Sequence, residues 1–201
     1  MRISKRLFDL LFSTLGLIFL MPIFLIIGLL IKIEDGGPVL FIQERVGYRG
    51  RVFNIYKFRT MRVGAEKMGL QITVDGDKRI TKIGKILRKY KIDELLQLFN
   101  VIKGDMSLVG PRPEVPYYVC LYNDKQRKVL EIMPGITDLA SILFKNEGEI
   151  LSRSQDPEFE YINNIMDQKV QLNLAYAEKS NYLKDFMLVI KTVYISFMNK
   201  D

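Results

Sequence analysis

The 201-residue sequence predicts an α/β chain of the α+β type, mostly helical, with one small sheet. Three observations point there. The N-terminal stretch is continuously apolar, two β-rich runs flank a glycine-bearing turn, and several later segments repeat apolar residues at helical spacing. The chain divides at the end of the apolar stretch, into an anchor over residues 1–35 and a second domain over 36–201.

The first element is the stretch from Leu10 to Ile31, which carries no charged residue. As one helix it is long enough to cover ~30 Å of hydrocarbon. No small-residue cleavage site follows it, so a signal peptide is not expected. Basic residues stand on both flanks, Arg2, Lys5 and Arg6 before it and Lys32, Arg45, Arg49 and Arg51 after it. Pro22 lies near the middle, where its missing N–H and its ring break or kink a helix. Two short arms meeting at Pro22, re-entrant with both ends on one side, satisfy the charge on both flanks. An ordinary Pro-kinked span remains open on these residues alone.

Next come Val39–Gln43 and Val52–Phe58, predicted to form a hairpin around Gly47 and Gly50. Alternation in the second run sets Phe53, Ile55, Lys57 and Arg59 on one face. The polar, glycine-bearing stretch 62–79 reads as a loop. Ile80, Ile83, Leu87 and Tyr90 then recur at helical spacing, with Lys82, Lys85, Arg88 and Lys89 opposite, a basic face for solvent or lipid headgroups. Helices are also expected over 117–130 and 158–180. The last segment is apolar on several faces, as in a buried or membrane-surface helix with Lys184, Lys191 and Lys200 reaching outward.

The formal net charge is +7, but it is unevenly spread. Residues 1–112 hold 20 basic and 10 acidic side chains, whereas the remainder is net acidic. A basic front half suits an anionic partner: lipid headgroups, phosphorylated substrates or nucleic acid. With no histidine in the chain, Ser-His-Asp chemistry and HExxH zinc sites are excluded, and acid–base work falls to carboxylates. The single Cys120 excludes a disulfide framework.

Within "KIDELLQLFN" two acids, Asp93 and Glu94, open an apolar run. Asp93 is a competent N-cap, Leu95, Leu96, Phe99 and Ile102 form a buried side, and Gly104 suits the helix end. The same helix start favours an ionised carboxylate and attracts phosphate, so Asp93 is also a candidate nucleophile toward phosphorus. Prolines 111, 113 and 116 stiffen the following stretch and fix the direction of Arg112, whose guanidinium can fork onto a phosphate.

Taken together, "KRLFD", "FIQERVG", "IYKFRTM", "KIDELLQLFNVIKGDMSLVGPRP", "PGIT", Tyr176 and Asp185 resemble the bacterial sugar transferases of the small, monotopic phosphoglycosyl transferase type. The resemblance covers nearly the whole chain. It implies transfer of a sugar-1-phosphate from a UDP-sugar to undecaprenyl phosphate with release of UMP, an early step in building a surface glycan. It further implies Mg²⁺ held at Asp93 and Glu94, a covalent phosphosugar on Asp93 with Glu94 assisting either through the metal or by taking a proton from the lipid phosphate, and a re-entrant helix broken at Pro22. The implied location is the cytoplasmic face of the bacterial inner membrane, with 36–201 as the catalytic domain. Arg112 is the first expected phosphate contact and Lys145 the second, followed by Lys57 and Arg59, for which structural pairing near the two acids is an equal alternative.

Two departures accompany the resemblance: Met21 replaces the serine that often precedes the breaking proline, and "DLAS" follows "PGIT". Asn173 stands where some relatives have Asp and is not included in the expected site. The competing reading is a membrane-anchored basic protein without chemistry, binding anionic lipid or nucleic acid; against nucleic acid, no aromatic–basic interleaving of an RNA-binding kind is present.

Overall fold

A computed structural model describes residues 3–65 and 72–198. Residues 66–71, part of the expected loop, lie outside the described residues, as do Arg2 and Lys200. The architecture is mostly helical with two small sheets, an α+β fold.

Helix α1 (Ile3–Asp35) is assigned as one element, with Pro22 inside it. The expected helix–break–helix is therefore not seen as an interruption. Pro22 removes one N–H, the donor that would face the Ile18 carbonyl, and the flanking turns carry the helix through. One face of α1 is buried, through Asp9, Ser13, Leu17, Phe24, Ile27 and Ile31. Most of its remaining large apolar side chains are exposed. The buried face belongs to the main core, where Leu17, Phe24, Ile27 and Ile31 join Phe58, Leu87, Leu96 and Leu98.

The hairpin forms as β1 (Leu40–Val46) and β2 (Val52–Phe58), antiparallel from Leu40 opposite Phe58 to Val46 opposite Val52. Helix α2 (Lys82–Lys89) starts at Thr81, whose hydroxyl accepts from Gly84 N at 2.9 Å. Gly84 lies where a Cβ would fall 2.0 Å from the Thr60 carbonyl oxygen, so α2 sits directly on the end of the hairpin.

The acidic pair corrects the expected capping. Lys91 adopts a left-handed conformation (φ 56°), and Asp93 falls inside a 3₁₀ segment, Ile92–Gln97, instead of capping an α-helix. Helix α3 (Leu98–Lys103) continues from it and ends at Gly104, φ 92°, as the sequence predicts. The tighter 3₁₀ turn shifts the phase of the buried face, so Leu98, Asn100 and Val101 point inward and Phe99 is exposed.

A second, parallel pair joins β3 (Ser107–Val109) to β4 (Gly135–Thr137). Both segments read as connector and turn in the sequence, because each is only three residues long. Gly110 and Gly135 approach so closely that a Cβ on Gly135 would meet Gly110 N at 2.1 Å.

Short helices follow: α4 (Pro116–Cys120), α5 (Asp124–Arg127), α6 (Leu139–Leu143), α7 (Glu147–Ser152) and α8 (Pro157–Glu160). A π-helical stretch, Tyr161–Ile165, leads into α9 (Met166–Lys179), and α10 (Tyr182–Met198) closes the chain. The expected helix over 117–130 is thus divided, with Asn123 capping α5 in a capping box. Helix α10 exposes Leu183, Met187, Ile190, Val193, Tyr194 and Phe197.

Candidate active site

The 3₁₀ segment with Asp93 and Glu94 lies against β2, and Asn100 provides the lock. Its Nδ2 donates to the Asn54 carbonyl at 2.7 Å and its Oδ1 accepts from Tyr56 N at 3.1 Å. A fully buried amide thus extends the hydrogen bonding of β2 onto α3, which sets Lys57 opposite Glu94. The Lys57 Nζ donates to Glu94 Oε1 at 2.9 Å.

Arg112 arrives from the other side and grips Glu94 with both arms of its guanidinium, Nη1 to Oε2 at 2.7 Å and Nη2 to Oε1. Its direction is set by more than proline stiffness. Val46 N bonds to the Glu114 carbonyl at 2.8 Å, and Arg45 donates to the Pro113 carbonyl and the Glu114 carboxylate. The Tyr161 hydroxyl donates to Glu114 as well. The segment 112–114 is therefore strapped to β1 and to the π-helical turn.

These contacts give the two acids opposite character. Burial alone would raise the Glu94 pKa, but Arg112 and Lys57 outweigh it and hold the carboxyl well below its usual range. Asp93 is raised, by burial first and then by the Glu94 charge, with Lys57, Arg88 and Lys91 pulling only partly the other way. Lys57 is lowered to about 8 because it is buried, despite Glu94. Among the described residues the Asp93 carboxylate accepts no hydrogen bond, and its Oδ1 is fully buried. A carboxylate flanked by cations yet bonded to none is free to engage a ligand.

Of the residues expected from sequence, Asp93, Glu94, Lys57 and Arg112 come together. Arg59 does not join them: it forks onto Asp35 at the end of α1 and donates to the Pro38 carbonyl, because it lies one residue beyond β2. Lys145 is exposed in the turn between α6 and α7. Arg88, read as part of a solvent face, turns inward, donates to Thr60 Oγ1 at 2.8 Å and contributes positive charge at Asp93. The apolar pattern Ile80, Ile83, Leu87 and Tyr90 does not separate it from Lys85 and Lys89. Arg45, a flanking charge in the sequence, likewise has its role set by the fold, through Pro113 and Glu114.

No group of three or more His, Cys, Asp or Glu capable of holding a metal occurs among the described residues. The hard oxygens of Asp93 and Glu94 nevertheless suit a cation that takes one or two carboxylates and completes its shell with substrate phosphates. With Glu94 engaged by two cations, the unpartnered Asp93 Oδ1 is the better-placed donor.

Residues 1–199 match the family model described as bacterial sugar transferase. The chain belongs to that family. An Aeromonas hydrophila protein named UDP-N-acetylgalactosamine-undecaprenyl-phosphate N-acetylgalactosaminephosphotransferase is 40% identical over 168 residues, covering 80% of this chain and 39% of that protein. The Escherichia coli UDP-glucose:undecaprenyl-phosphate glucose-1-phosphate transferase is 32% identical over 207 residues, covering 99% of this chain and 41% of its own length. The exopolysaccharide production protein ExoY of Sinorhizobium fredii is 33% identical over 206 residues, 95% of this chain and 84% of ExoY. The chain thus spans about two fifths of the length of the first two of these sugar transferases.

Proposed function

We propose that the chain transfers a sugar-1-phosphate from a UDP-sugar to undecaprenyl phosphate, with Asp93 as nucleophile. The observation that carries this is the buried Asp93 carboxylate, unbonded and ringed by Lys57, Arg88 and Lys91, beside a Glu94 locked by Lys57 and Arg112. An Asp93 oxygen attacks the phosphorus bearing the sugar, and the bond to the UMP oxygen breaks with its electrons. The lipid phosphate oxygen then attacks the same phosphorus and the Asp93 carboxylate leaves. Arg112 and Lys57, fixed by Glu94, and Arg88 offset the negative charge on the diphosphate. Glu94 serves chiefly to hold these cations. A Mg²⁺ ion held at Asp93, and at Glu94 when its partners yield, would supply further charge neutralisation on the diphosphate.

The same reading makes α1 a re-entrant helix bent at Pro22, with the rest of the chain on the cytoplasmic face of the inner membrane. Its support is that both ends of α1 are tied to one body. Near the start, Lys5 pairs with Asp185 and Arg6 donates to the Val101 and Ile102 carbonyls. Near the end, Glu34 accepts from Lys82 N and Asp35 pairs with Arg59. A helix crossing the bilayer would part these contacts.

The test is UMP release by detergent-solubilised protein given undecaprenyl phosphate and a panel of UDP-sugars. Asp93→Asn is expected to lower turnover at least a thousandfold, and a chelator to abolish it in the wild type. Equal release by both proteins would refute the nucleophile.

A further inference from the structure

A cavity of about 310 Å³ opens beside the site. Pro111, next to Arg112, forms one wall, and Tyr48 reaches in from the hairpin turn; Asp138, Asn173, Tyr176 and Asp185 line the remainder with Lys5. Resting on the reading above, the geometry points to this cavity as the seat of the nucleoside of the nucleotide sugar, with the Asn173 amide pairing with the base.

Four features carry the argument. The volume falls in the range that encloses small ligands. The cavity begins where the anion-facing Arg112 ends, and the Asp138 charge is felt at that guanidinium, so a diphosphate on Arg112 can project its neutral end inward. The lining is net acidic, since Asp185 is offset by Lys5 while Asp138 and Glu131 have no basic partner among the lining groups. Such a lining repels a phosphate and suits the hydroxyl and N–H donors of a nucleoside.

The fourth feature is Asn173 itself. It is 7% exposed, and among the described residues its side chain makes no hydrogen bond. Nearby polar groups are committed: Asp138 accepts from Ser141, and Asp185 accepts from Tyr176 and Lys5. The Asn173 amide stands on the cavity wall, so its carbonyl and NH₂ are open to a ligand that enters. Its carbonyl can accept from the imide N–H of a pyrimidine while its NH₂ donates to the adjacent carbonyl, the two-point reading of a base edge that an amide provides.

The experiment uses the full chain in detergent with UMP as the probe. Asn173→Leu removes the pairing at similar volume, and Ala177→Phe fills the cavity from α9. Both are expected to weaken UMP binding at least tenfold and to raise KM for the UDP-sugar. The rate at which the preloaded enzyme passes its phosphosugar to undecaprenyl phosphate, a step without nucleoside, stays within twofold. Unchanged UMP affinity in both variants overturns the assignment and leaves the transferase reading intact, including the case where only the ranking among UDP-sugars changes, which would put the sugar ring in the cavity. Loss of both half-reactions in both variants also overturns it, as a role in folding. A wild type that neither binds UMP nor turns over any UDP-sugar removes the transferase reading and this one with it.

Discussion

At the scale of single residues, the site separates two adjacent carboxylates by their partners. Glu94 is held ionised by Arg112 and Lys57, whereas Asp93 is raised by burial. The pH dependence of kcat/KM, which reports the free enzyme, should then be bell-shaped. Its acidic limb, from ionisation of Asp93, is expected above the ordinary carboxylate value of 3.8. Its alkaline limb is expected near pH 8, where Lys57 loses its charge. Lys57→Arg should remove the alkaline limb, because a guanidinium stays charged. The sign for stability is the opposite. A lysine whose pKa falls from 10.5 to about 8 on folding releases its proton first in the folded chain, so this group adds stability as pH rises between those values. A melting temperature that falls in step with activity above pH 8 would contradict the assignment.

At the scale of elements, α2 carries Arg88 to the acids, and two features place it. Thr81 caps its start, and Gly84 allows contact with the Thr60 backbone. Thr81→Ala is expected to cost about 1 kcal/mol. Gly84→Ala is expected to cost more, because the new methyl would collide with a backbone carbonyl that cannot rotate away as a side chain would. Thermal unfolding in detergent, with turnover measured beside it, checks the order. Equal costs would mean that α2 sits more loosely on Thr60. The neighbouring α3 is held at both ends of its role: Asn100 ties it to β2, and Arg6 takes the carbonyls of its last turn.

At the scale of the whole molecule, the apolar helix is part of the core. Leu17, Phe24, Ile27 and Ile31 bury against side chains of β2, α2, α3 and the acid-bearing segment. Removing residues 1–32 therefore uncovers Phe58, Leu87, Leu96 and Leu98. The truncated chain is expected to lose its cooperative thermal transition and its activity even on short-chain, water-soluble lipid phosphates. A folded, active truncated chain would make α1 a mere anchor. Helices α1 and α10 meet through Phe8 and Phe12 against Phe186, which joins their exposed apolar side chains into one surface.

The sequence by itself determined the long apolar helix, the hairpin and the end of α3 at Gly104, since periodicity and glycine placement are local, and it singled out Asp93, Glu94, Lys57 and Arg112, which the fold brings together. It also carried the family, through motifs spread over nearly the whole chain. What it could not decide depends on who meets whom across the fold. The 3₁₀ form of residues 92–97 depends on Lys91 in a left-handed turn and on packing against β2, where local propensity favoured a capped helix. The inward turn of Arg88, the loss of Arg59 to Asp35 and the Asn100 lock all arise from pairs far apart in sequence. A side chain's partners are set by the tertiary structure, and here those partners distinguish a carboxylate that holds cations from one left open to react.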